Sequence, residues 1–151
     1  MKLWLLRHGE AEPRARSDAE RALTERGRKE VRKSAERLRG QALAHILVSP
    51  YRRAQQSAEL VREALGLSLP LTTVDWATPD DSPRNAVLQL DQYAGDCLLV
   101  SHNPLLGSLG GLLVHGYLQE PLALHTASLI ELEGESSVPG LMTLKSLYHP
   151  H

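Results

Sequence analysis

The chain has 151 residues, 42% of them hydrophobic and 23% charged, a length that suits one domain burying about 70% of its unfolded surface. Its 17 Lys plus Arg against 18 Asp plus Glu, a formal net charge of -1, leave nucleic-acid binding to local charge alone. These fractions exclude a disordered chain, and with 4% aromatic residues and no Phe it lacks the stacking platforms that single strands need.

Leu3 to Leu6 predicts a buried strand ending at the polar cluster Arg7-His8-Gly9-Glu10, and Arg7 stops the run too soon for a signal-peptide core. Ala11 to Ala22, polar and Pro-containing, reads as a loop. Thr24 is placed to N-cap a helix, with Glu25 at its positive end. That helix would turn Val31, Ala35 and Leu38 inward at three- and four-residue spacing and stop at Gly40. His45 to Val48 is a second strand, closed by Ser49-Pro50. Tyr51 to Leu65 is helical again, with Ala54, Ala58, Val61 and Leu65 on one face and Gly66 as its stop.

Leu69 to Val74 is expected to be a third strand, followed by a turn-rich segment, Thr78 to Pro83, and a helix from Arg84 to Tyr93. Cys97 to Val100 is a buried strand leading into Ser101-His102-Asn103-Pro104. Pro104 fits the first turn of a helix running to His115, whose Gly107, Gly110 and Gly111 call for a closely packed neighbour. Ser128 to Leu132 and Leu141 to Leu147 predict two last strands about a Gly/Ser/Pro turn. Alternating strands and helices imply one α/β domain over residues 1–151, with a mainly parallel central sheet and helices on both faces. No stretch reaches the roughly 18 apolar residues of a membrane span. Cys97, the one cysteine, excludes an internal disulfide and a thiolate metal site and suits a reducing compartment, so the expected location is cytoplasmic.

Ligands of open α/β sheets bind outside the carboxyl ends of the strands. Three predicted strands end there in Arg7-His8-Gly9, in Ser49-Pro50-Tyr51-Arg52-Arg53 and in Ser101-His102-Asn103. If these ends meet, histidines and arginines converge on one point. Guanidinium groups grip phosphate oxygens in pairs and stay charged at physiological pH. A neutral imidazole can attack phosphorus while a second, protonated one offsets charge on the equatorial oxygens. The pattern points to an anion, and to phosphoryl transfer through a histidine.

The strand followed by Arg7-His8-Gly9-Glu10 resembles the RHG signature of the histidine phosphatase superfamily, with its phosphoglycerate mutase-like fold. Arg21-Ala22-Leu23-Thr24 with Gly27, then Ser49-Pro50-Tyr51-Arg52-Arg53-Ala54, then Ser101-His102 match further elements of that family in order. The short length and Asp18-Ala19-Glu20-Arg21 look most like its SixA group of phosphohistidine phosphatases. The resemblance implies His8 as the nucleophile, Arg7 and Arg53 as clamps on the phosphoryl oxygens, and His102 completing the pocket. Arg21 is a further candidate, as a substrate-binding residue or as a solvated loop charge. Arg52 and Arg53 lie about 100° apart on a helix, and the motif register selects Arg53. No metal or other cofactor is implied, because the arginines supply the positive charge.

Ester-cleaving members of the family carry a carboxylic acid near the pocket, and here Asp75, Asp80, Asp81 and Glu10 align with it only loosely. A phosphohistidine needs less help, because imidazole leaves more easily than an alkoxide. The expected substrate is therefore a phosphorylated histidine-containing phosphotransfer or phosphocarrier protein, acted on by a monomer with no nucleic-acid or membrane partner. The alternatives are a general phosphomonoesterase for a small metabolite, with Asp80 or Asp81 as acid, and a phosphoprotein-binding module without turnover. Arg28, Lys29 and Arg32 lie on a charge-dense helix that is either a solvated face or a dock for an acidic partner. His45, His115 and His125 lack metal-ligand spacing, and His149 and His151 fall on an expected frayed terminus.

Overall fold

Continuous apolar runs make strands that must be covered on both sides. In the computed structural model, which describes residues 1–151, these runs form the middle of a six-stranded sheet. The strands are β1 (Lys2–Arg7), β2 (His45–Val48), β3 (Leu71–Thr73), β4 (Cys97–Ser101), β5 (Leu129–Glu133) and β6 (Thr143–Tyr148). Their order across the sheet is β3-β2-β4-β1-β5-β6. β1 through β4 run parallel, with Leu5 opposite Leu99 and Leu47 opposite Leu99 on its other side. β5 and β6 are antiparallel and close one edge.

Alternate strand residues point to opposite faces. Trp4, Leu6, Ile46, Val48, Leu98 and Val100 pack under α1 (Glu25–Glu36) and α2 (Arg52–Leu65). Leu3, Leu5, Leu47 and Leu99 pack under α3 (Pro83–Leu90) and α4 (Leu105–His115). Helices thus lie on both faces, as the alternation of elements required. No helix is long and apolar enough to cross a membrane.

Local chemistry explains the boundaries. The Thr24 hydroxyl accepts the Gly27 N–H at 3.0 Å and starts α1. α1 ends at Glu36 rather than at Gly40, with a turn over 37–40 that still buries Leu38. Pro104 is the N-cap of α4 and not part of its first turn. β3 keeps only the centre of the expected Leu69–Val74 strand.

Two sets of close approaches matter for the site. The glycines of α4 pack on the loop that follows their own helix. A Cβ at Gly107 would sit 2.7 Å from the Leu122 carbonyl oxygen, and one at Gly111 would sit 2.3 Å from that of Glu120. Gly9 and Gly27 lie in equally close contact, since a Cβ on Gly9 would meet the Gly27 carbonyl oxygen at 2.6 Å. Nor is the segment 149–151 frayed. His149 bonds the Ser128 hydroxyl, Pro150 is buried, and His151 lies 3.1 Å from the Glu30 carboxylate.

Candidate active site

Arg7 pairs with Ser101 at the end of the β1–β4 ladder, and Val48 pairs with Val100 beside it. The three predicted strand ends therefore do meet on one edge. His8 follows directly and is fixed through its backbone: its N–H donates to the Ser101 carbonyl at 3.0 Å, and its own carbonyl accepts from Ala127 at 3.0 Å. Its ring Nδ1–H donates to the Gly9 carbonyl at 2.7 Å, which leaves the lone pair on Nε2.

Arg53, in the first turn of α2, is 3% exposed and lays its Nε 3.3 Å from that His8 Nε2. The Ser57 hydroxyl ties the two walls together, accepting the Gly9 N–H at 3.1 Å and donating to the Arg53 carbonyl at 2.8 Å. Arg52 is exposed, as the helical offset between neighbours required. Arg7 donates from Nη1 to the Leu124 carbonyl at 3.0 Å, while its buried Nε has no partner.

His102 follows β4, is 1% exposed, and its ring centroid lies 5.0 Å from that of His8. Its Nε2 is 2.7 Å from the Ser49 hydroxyl, and that oxygen also accepts the Tyr51 N–H at 3.2 Å. Ser49 Oγ thus joins the His102 ring to the start of α2. The His102 Nδ1 is buried without a partner.

Burial, reinforced by the charges of Arg53, Arg7 and Arg21, pushes His8 down to about 3 against the pull of its Gly9 bond. His102 is pushed down to about 3 by burial, then by His8, Arg53 and Arg7, with Asp18 opposing. Both rings are neutral at pH 7. For both rings burial among cations favours the neutral form, which for His102 differs from the protonated ring expected from the sequence. Neutral His102 offers an N–H, and the formal charge in the pocket comes from arginine.

Arg21 reaches this group indirectly. Its Nε donates to Asp18 Oδ1 at 2.9 Å and its Nη1 to the Glu12 carbonyl at 3.1 Å. Asp18 in turn accepts from Arg53, at 3.1 Å through Oδ2 and at 2.7 Å through its backbone carbonyl. No hydrogen bond joins Glu10, Asp75, Asp80 or Asp81 to His8 or His102. Glu10 accepts the Thr24 hydroxyl, Asp81 accepts both the N–H and the hydroxyl of Thr78, and Asp75 and Asp80 are exposed. No group of three or more His, Cys, Asp or Glu is arranged to hold a metal ion.

Sequence reasoning placed Arg7, His8, Arg53 and His102 together but missed Ser57, the Leu124 carbonyl and the part played by Asp18. Only Asp18 left a signal, its ion-pair spacing of three residues to Arg21.

Residues 3–75 match the model of the histidine phosphatase superfamily, branch 1. The chain is 36% identical over 115 residues to phosphohistidine phosphatase SixA of Escherichia coli (strain K12), covering 72% of this chain and 71% of that one. It is 32% identical over 145 residues to the phosphohistidine phosphatase SixA homolog of Haemophilus influenzae, covering 87% of each. Its fold superposes on the structure of protein histidine phosphatase SixA complexed with tungstate with a TM-score of 0.86. That match has 29% identity and covers 99% of this chain and 97% of the other.

Proposed function

The chain belongs to the histidine phosphatase superfamily, and on that footing we propose that it is a phosphohistidine phosphatase of the SixA type. The observation that carries the reading is the His8 ring, its proton held on Nδ1 by Gly9 and its Nε2 facing the buried Arg53. A SixA relative binds tungstate, a tetrahedral oxyanion of phosphate-like shape. Arg7 Nε and His102 Nδ1, both buried and unpaired, are the donors such an oxyanion would take.

In this reading His8 Nε2 attacks phosphorus in line, and the N–P bond to the substrate ring breaks as the new N–P bond forms. Arg7 and Arg53 hold the equatorial oxygens, and the His102 Nδ1–H donates to one of them. Water then cleaves the phosphohistidine on His8 and releases phosphate. Arg21 takes part through Asp18 at the mouth of the pocket. The catalytic domain is residues 1–151.

The substrate is a phosphorylated histidine-containing phosphotransfer or phosphocarrier protein. Exposed Lys29 and Arg32, with half-buried Arg28, offer it a basic dock on α1, near the Gly9–Gly27 contact. The single thiol, Cys97, is buried and pushed up to about 11 by burial and then by Asp96, an inert form that suits a reducing cytoplasm. The protein acts there as a monomer.

Catalytic efficiency on one preparation tests the reading, with a phosphohistidine-bearing carrier domain set against p-nitrophenyl phosphate. A strong preference for the carrier supports it. A preference for the ester would replace it with the phosphomonoesterase alternative, against which stands Asp81, engaged by Thr78.

A further inference from the structure

Asp18 is the carboxylate bonded directly to a pocket guanidinium. Arg53 spans from His8 Nε2, 3.3 Å from its Nε, to Asp18, which takes both of its Nη nitrogens. Arg21 holds the other Asp18 oxygen at 2.9 Å. Each carboxylate oxygen therefore accepts one bond and keeps a lone pair. The Asp18 side chain is 57% exposed and borders a surface groove with Pro13, Arg14, Ala15, Ser17 and Arg21. It stands at the surface, with acceptor capacity to spare, one guanidinium away from His8.

A carboxylate placed there can do little for an ester. An alkoxide leaving group needs a proton, and Asp18 holds none. Burial alone would raise its carboxyl, but hydrogen bonds from Arg21 and Arg53 hold it below the ordinary carboxylate range. A phosphorylated imidazole differs from an ester in two ways. When its ring is protonated it carries a positive charge, and its second nitrogen presents an N–H. An anionic acceptor complements both features.

We propose, on the phosphatase reading above, that Asp18 determines specificity by accepting the ring N–H of the phosphohistidine substrate, so selecting N–P over O–P bonds. The lone pair of His8 Nε2 forms the new N–P bond while the substrate's N–P bond breaks. The bonding pair stays on the departing ring nitrogen, and the imidazolium becomes neutral imidazole. Its remaining proton stays on the far nitrogen, bonded to Asp18. No proton donor is consumed, so the pocket needs no general acid. The same contact orients the substrate ring in line with His8, a service that a bare ester oxygen cannot receive.

The test compares Asp18→Asn with the unaltered protein on a phosphohistidine-bearing carrier domain and on p-nitrophenyl phosphate. The expected result is a loss of kcat/KM on the carrier that exceeds the loss on the ester by about tenfold, the scale of one charge-assisted hydrogen bond. Asp18→Glu, which keeps the charge, should retain most of the preference. The preference of the unaltered protein should also fade as pH rises and the substrate ring loses its proton. Equal losses on both substrates overturn the proposal, because Asp18 then only steadies Arg53 and Arg21. An unaltered protein that prefers the ester overturns the phosphohistidine reading itself, a separate failure visible before any substitution is made.

Discussion

His8 and Arg21 are joined through Arg53 and Asp18 and are held in opposite ways. His8 is 6% exposed, with its N–H, its C=O and its ring nitrogen all bonded to backbone. The Arg21 side chain is 27% exposed, and its anchors are a side chain three residues away and the Glu12 carbonyl. The inner wall belongs to the parallel sheet and its buried ladder, while the mouth is a loop with a short 3-10 turn at Asp18–Glu20. Reacting atoms must be placed to within a fraction of an ångström, and the proposed mechanism puts them on the rigid part. Selection among substrates can be left to side chains that water also reaches.

Substitutions can break this division or sharpen it. His8→Asn keeps the shape of the inner wall and removes the proposed nucleophile, and turnover should fall by about 10⁴-fold or more in a steady-state assay. Gly27→Ala strikes the seam between wall and mouth, since its Cβ would lie 2.2 Å from the Glu10 carbonyl oxygen. Urea unfolding should show a loss of about 1–3 kcal/mol. Ser49→Ala removes the hydroxyl bonded to His102 Nε2, and kcat should drop about tenfold while KM changes little. Ser49→Thr should restore it, and nitrogen chemical shifts of the His102 ring would report the tautomer directly. Arg21→Ala should be mildest, about threefold and mostly in KM, as befits an exposed pair.

Acid sharpens the contrast in another way. The folded protein keeps His8 and His102 neutral down to about 3, whereas unfolded histidine takes up its proton near about 6.5. Between those limits the unfolded chain binds more protons. The histidine contribution is therefore fully present above about 6.5 and is lost as pH falls towards 3. Unfolding midpoints in urea should decline from pH 7 to pH 5, and a His8→Asn, His102→Asn variant should decline less.

Much of this was legible because the inner wall is written in local pattern. Leu3–Leu6, His45–Val48 and Cys97–Val100 are apolar runs, and each ends in the residues it delivers to the site. The antiparallel setting of β5 and β6 left no such mark, because a strand's direction is fixed by partners remote in sequence. The Leu124 carbonyl that holds Arg7 lies 117 residues away, and every residue type has a carbonyl. The neutrality of His102 arose from burial among cations, which a motif does not state. Asp18 was visible as a letter, but its bond to Arg53 crosses 35 residues.

The contact between Gly9 and Gly27 acquires a practical meaning beside the bridge that pairs Ala11 with Leu23. Both ends of the intervening loop are stapled to each other, independently of what lies between them. Residues 12–22 therefore form a cassette with fixed sockets, one that could be exchanged for the corresponding loop of a relative without retuning the sheet. Leaving-group preference would then become a modular trait, transplantable on about a dozen residues while the nucleophile stays where β1 puts it.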